Sequence, residues 1–306
     1  MKNIKVENSQ LTVPAVVSGC MRFGDFTTEQ MISFIHKALD LGINFFDHAD
    51  IYAGGKSETV FGKALKTDSS IKRENLIIQS KCGIRNGFFD FSKEYIISSV
   101  DGILSRLQLD YLDVLLLHRP DALVEPEEVA AAFDELASKG KVLNFGVSNH
   151  NPMQIELLKK YVKQPIIFNQ MQFSIPVSNM IAQGLEVNMD SAGSANRDGS
   201  VLDYCRLNNI TMQAWSPFQK SNWRGPFIND PETPELNAAI EELSQKYNST
   251  PTQIATAWIL RHPANMQVIA GTTNQNRLEE IATACNINLT RQEWYKLYLA
   301  AGHILP

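Results

Sequence analysis

Eight short runs rich in β-branched and aromatic residues recur along the chain with amphipathic helical stretches between them, and few folds accept that alternation. The runs read VPAVVSG, INFFD, NLIIQS, DVLLLH, VLNFGVS, PIIFNQ, ITMQAW and MQVIAG. Segments such as EQMISFIHKALDLG, KEYIISSVDGILSRLQ, PEEVAAAFDELASKG and PMQIELLKKYV place apolar residues at i, i+3, i+4 and i+7, the period of a helix packed on a core. Thr27 or Thr28 is positioned to cap the first helix and Ser92 the second, while Gly42 and Gly140 sit where helices stop. Strand and helix in alternation build a parallel sheet with helical cover. Eight such units within 306 residues fit a closed (β/α)8 TIM barrel better than an open doubly wound sheet, as one barrel domain over residues 1–306. No GxGxxG follows the first run, so the usual mark of a Rossmann dinucleotide site is missing. Two polar stretches, VNMDSAGSANRDGS and PFQKSNWRGPFINDPETPE, read as long loops after the sixth and seventh strands, where barrels keep substrate contacts.

Charge and cysteine placement narrow the partners. A formal charge of -5 gives no general attraction for nucleic acid or an anionic membrane. Cys20, Cys82, Cys205 and Cys285 lie far apart and suggest neither a CxxC metal site nor a disulfide framework. His36, His150, His262 and His303 show no metal-ligand spacing, so no metal is expected. The opening MKNIKVENSQLTVP lacks the apolar core of a secretion signal, and no apolar run reaches the roughly 18 residues that span a bilayer. A cytoplasmic location without a membrane partner is the expectation.

Asp47 closes INFFD, Tyr52 follows five residues later, Lys81 closes LIIQSK and His118 closes DVLLLH. Each alone is as well explained by a local structural bond; together they point toward one mouth of the barrel. Carbonyl reduction brings a hydride to carbon and a proton to the developing alkoxide, so it needs a positioned acid. A tyrosine can serve, since its free pKa of about 10 falls beside an ammonium that stabilises the phenolate. Lys81 is the natural ammonium, Asp47 its counter-charge, and the His118 imidazole a neutral donor to the carbonyl oxygen.

FFDHADIY, the lysine after the third strand, LLLH after the fourth and FGVSN after the fifth resemble the aldo-keto reductases over nearly the whole chain. The resemblance implies reduction of a small aldehyde or ketone, with NADPH as cofactor and NADH as the alternative. It assigns Tyr52 as proton donor, tuned by Lys81 and Asp47, with His118 orienting the substrate. It further implies that Ser148, Asn149 and Gln170 hold the nicotinamide carboxamide and that Trp215 stacks on the ring where many members use tyrosine. Ser216 and Phe218 continue the pattern along the cofactor backbone. The stretch IAGTTNQNRLEE resembles the segment that holds the adenosine phosphate, with Gly271, Thr272, Thr273 and Arg277 in place. The Arg277 fork suits a 2′-phosphate, and Glu280 matches an acid that bonds the adenine amino group. Gly271 and Ile281 stand where many NADPH-preferring members have lysine and asparagine. A monomer is the family default.

Large apolar groups in loops need a reason to be exposed, which makes Met21, Phe23, Phe88 and Trp223 candidate substrate walls, with Phe26 and Phe89 beside them. Packing between loops is an equally adequate reason. Arg22 reads either as a pocket residue or as a surface ion-pair partner, and His48, alternating away from Asp47, as structural. Two other functions fit parts of the pattern: a Schiff-base lyase using Lys81, and a non-catalytic NADPH-binding sensor or regulatory protein.

Overall fold

The computed structural model describes residues 1–305, with the side chain of Trp223 outside the described residues, so the expectation placed on Trp223 lies outside them too. Ten strands form: β1 (Asn3–Lys5), β2 (Thr12–Pro14), β3 (Val16–Gly19), β4 (Phe45–Asp47), β5 (Ile77–Cys82), β6 (Leu112–Leu117), β7 (Val142–Ser148), β8 (Ile166–Gln172), β9 (Thr211–Trp215) and β10 (Gln267–Ala270). The last eight close into a parallel barrel in the order β10-β3-β4-β5-β6-β7-β8-β9, with helices between successive strands, so the chain is a (β/α)8 TIM barrel.

The first run is not one strand. VPAVVSG breaks at Ala15: β2 pairs antiparallel with β1, whereas β3 pairs with β10. Ala15 makes the transfer, donating its N–H to Lys2 O and accepting from Val268 N, both at 2.8 Å. The stretch read as a loop after the sixth barrel strand follows a helix over Asn179–Leu185 and is interrupted by a short turn at Ala192–Ser194.

Local chemistry sets the remaining boundaries. Thr27, not Thr28, caps the helix Thr28–Asp40, in a capping box with Gln30, and Ser92 caps Lys93–Leu107. Gly42 and Gly140 follow their helices at φ +76° and +67°, left-handed backbone that glycine adopts without a steric penalty. All six residues of β6 are buried, as expected of a strand covered on both faces. Side chains alternate between faces: on β5, Gln79 and Lys81 enter the barrel, while Ser80 turns outward and donates to Glu58 on the helix Lys56–Thr67 at 2.7 Å. No helix among the described residues is long and apolar enough to cross a membrane.

Candidate active site

The alternation that buries one face of each strand brings Asp47, Lys81 and His118 to the carboxyl ends of neighbouring β4, β5 and β6, where barrels carry their sites. Tyr52 enters from a short helical turn, Tyr52–Gly55, after β4. Lys81 is 0% exposed, and its Nζ donates to Asp47 Oδ2 at 2.8 Å, His48 O at 2.8 Å and Tyr52 Oη at 2.9 Å. The ammonium thus uses all three of its protons.

Burial works to lower the Lys81 pKa, but Asp47 and Tyr52 outweigh it and hold the amine above its ordinary value. For Tyr52 the sequence expectation needs correction. Burial raises the phenol above its usual value, and the Lys81 ammonium opposes that rise without reversing it. Burial, then Lys81 and Arg119, hold His118 well below the ordinary histidine value, so its ring is neutral. That ring stands edge-on to Tyr52 with centroids 6.1 Å apart. His48 packs its ring against Phe61, and burial followed by Lys81 lowers its pKa to about 3. It acts here through its carbonyl, not its imidazole.

Behind the ion pair lies a row of buried amides that sequence reading missed. Asp47 Oδ1 accepts from Gln79 Nε2 at 2.5 Å and from Gln170 Nε2 at 3.3 Å. Both amides also donate to Gln213 Oε1 at 3.0 Å. Gln213 Nε2 donates to Gln267 Oε1 at 3.0 Å, and Gln267 Nε2 to Pro14 O at 2.6 Å. A signal was available in strand parity, since Gln79 and Gln213 lie two residues before Lys81 and Trp215 and therefore point the same way.

Tyr52, His118 and Asp47 line a cavity of about 650 Å³ whose opposite wall holds Ser148, Asn149, Gln170 and Trp215. These are joined in series: Trp215 Nε1 donates to Asn149 Oδ1 at 3.1 Å, Asn149 Nδ2 to Ser148 Oγ at 2.7 Å, and Ser148 Oγ to Gln170 O at 2.9 Å. Asn149, Ser216 and Ala53, all lining the cavity, have left-handed backbone at φ +60°, +49° and +50°. Non-glycine residues of that kind cluster at sites where the surrounding structure holds them.

Ser216, Phe218, Gly271, Thr272, Arg277, Met21 and Arg22 also reach the cavity. Arg22 Nη1 donates to Gly271 O at 3.2 Å and forms no ion pair with a described residue. Thr273 is exposed outside the cavity wall, and Glu280 accepts from Thr250 Oγ1 at 3.3 Å. Two expected substrate walls are elsewhere. Phe23 is 0% exposed and packs against Phe26 and Phe34, because its short loop folds back onto the helix Thr28–Asp40. Phe88 is 54% exposed in a small excursion closed by the Ile84–Phe89 bridge, under the Arg85 guanidinium. Arg119, Ile51, Ile84 and Pro226 line the cavity in their place. Among the described residues no group of three or more His, Cys, Asp or Glu could hold a metal.

Comparisons with known proteins bear on the family and the fold. The Aldo/keto reductase family profile matches residues 15–298. The oxidoreductase YdhF of Escherichia coli K12 is similar at 33% identity over 95% of this chain and 94% of its own. A 6-dehydroglucose reductase of Agrobacterium fabrum is 29% identical over 96% of each. A crystal structure of a thermostable aldo-keto reductase with the inhibitor epalrestat superposes with a TM-score of 0.79 at 26% identity, covering 98% of this chain and 100% of that one. The chain belongs to the aldo/keto reductase family, oxidoreductases that reduce carbonyl groups with NAD(P)H.

Proposed function

We propose that the protein is an NADPH-dependent reductase of aldehydes or ketones in which Tyr52 delivers the proton. The observation behind this reading is the Tyr52 hydroxyl, 2.9 Å from a fully buried ammonium and on the wall of the cavity. NADPH, when bound, would supply the hydride. The residues opposite Tyr52 fit it: Trp215 places an aromatic ring in that wall, and Gln170, whose Nε2 is committed to Asp47 and Gln213, has its Oε1 left for a donor in the cavity. A side chain built on Gly271 would meet nothing within 4 Å, so that backbone is open to close approach.

The protein's own part is acid catalysis in a partly dry site. His118, neutral, donates to the carbonyl oxygen and fixes its position. Tyr52 passes its proton to that oxygen as negative charge develops there. The resulting phenolate faces the Lys81 ammonium, which Asp47 helps keep protonated, while Asp47 Oδ1 accepts from the Gln79 and Gln170 amides. A protonated lysine with every proton engaged is a poor nucleophile, which counts against a Schiff-base lyase. The reading extends to one barrel acting as a monomer in the cytoplasm.

Fluorescence titration with NADPH and NADH, followed by cofactor consumption with a panel of carbonyl compounds, tests it. Binding with turnover is expected. Binding without turnover would favour a sensor, and no binding would overturn the reading.

A further inference from the structure

Arg119 follows His118 at the end of β6 and lines the cavity half-buried. In the ring of eight strands β6 stands opposite β10, so Arg119 enters from the side away from Gly271, Thr272 and Arg277. Its guanidinium lies 5.5 Å from the centroid of the Trp215 ring and forms no ion pair or hydrogen bond with any described residue. A guanidinium keeps its charge and offers five N–H donors, and leaving these without acceptors in a partly desolvated wall is unfavourable. Burial lowers its pKa from the ordinary arginine value, as expected for a cation short of counter-charge.

The Trp215 ring beneath it and the Tyr52 side chain are its electrostatic neighbours in the wall, and neither is a counter-charge. Asp47, the one carboxylate among the described lining residues, already accepts from Lys81, Gln79 and Gln170. Arg22 and Arg277 line the cavity as well, so three guanidinium groups lie in its wall in a chain of formal charge -5. Arg22 and Arg277 gather with Gly271 at the end suited to cofactor phosphates. Arg119 alone serves the end that holds Tyr52 and His118, among Met21, Ile51, Ile84 and Pro226.

We propose that Arg119 reads an anionic group on the substrate, so that the carbonyl compound reduced here bears a carboxylate or phosphate on a short, partly apolar body. The proposal rests on the carbonyl-reductase reading. With the carbonyl oxygen on Tyr52 and His118, the planar fork of Arg119 is left to take two oxygens of the anion, the geometry in which guanidinium and carboxylate or phosphate pair most strongly. The body lies between, against the apolar walls.

Two substrate pairs test this with the intact enzyme and NADPH: 4-carboxybenzaldehyde against its methyl ester, and glyceraldehyde 3-phosphate against glyceraldehyde. The anionic member of at least one pair is expected to show a kcat/KM about 10- to 100-fold higher, and the pair that shows it tells carboxylate from phosphate. Arg119→Leu should collapse that ratio toward one, and Arg119→Lys should restore part of it. Tryptophan fluorescence quenching by NADPH checks that each variant is folded, and the wild-type ratios stand if one is not. Equal turnover within both wild-type pairs overturns the proposal while leaving the reductase reading intact. So does a preference that survives Arg119→Leu. An Arg119 that only keeps His118 uncharged would slow both members of a pair alike, leaving their ratio unchanged, and this too overturns it. No turnover of any pair, with no NADPH binding, removes the reductase reading and the proposal together.

Discussion

At the Tyr52 end of the cavity Lys81 is fully buried and bonded to Asp47, His48 and Tyr52, whereas at the Gly271 end Arg277 is exposed and its guanidinium bonds to no described residue. The first region holds its geometry before anything binds, which suits groups that must meet a short-lived charge distribution without reorganising. The second has its donors in place but not fixed, so a bound phosphate would order them. Substitutions at the first end should therefore abolish chemistry or stability, and those at the second should tune affinity.

Tyr52→Phe should separate the two ends most sharply, with a fall in kcat of roughly 10²- to 10⁴-fold from loss of the proton donor and an almost unchanged NADPH Kd. Steady-state rates and fluorescence titration check both, and a parallel loss of binding would show that the two ends are not independent. Lys81→Met leaves the Asp47 carboxylate buried without its cation, which should cost about 3–5 kcal/mol of stability in urea unfolding. Survival of full stability would mean that Asp47 is not as dry as the hydrogen-bond pattern implies. At the open end, Arg277→Ala should weaken NADPH about 10- to 100-fold, the range for a hydrogen bond to a charged group, with NADH far less affected. Equal weakening of both cofactors would show that Arg277 does not read the 2′-phosphate. The smallest change is expected of Gly271→Lys, which has room for its side chain. An exposed ammonium contributes about 0.2–1 kcal/mol, so NADPH preference should rise about 1.4- to fivefold in paired titrations.

The same contrast explains what the sequence could reveal. The barrel was legible because buried parallel strands and amphipathic helices leave different periods, and Asp47, Lys81 and His118 were legible because strand ends converge. The break at Ala15 was not, since a continuous apolar run does not show that its hydrogen bonds change partner midway. Phe23 and Phe88 were misjudged because a loop residue's composition says that it needs cover without saying where it finds it. Arg119 was overlooked although its place, one residue past His118, was a usable signal. The pKa of Tyr52 depended on how deeply the phenol sits, and spacing does not encode depth.

The amide row behind Asp47 joins parts of the chain made at very different times. Asp47, Gln79, Gln213, Gln267 and Pro14 follow one another across the barrel, so the support of the Asp47 carboxylate ends on the last strand and the first hairpin at once. During synthesis Gln213 Nε2 has Gln79 Oε1 at 3.3 Å before Gln267 is made, and gains the Gln267 acceptor at 3.0 Å only afterwards. A growing or shortened chain that lacks β10 has strands β3 to β9 but not the finished line of acceptors. Completion of the row behind the acid centre thereby requires β10 to be docked between β9 and β3.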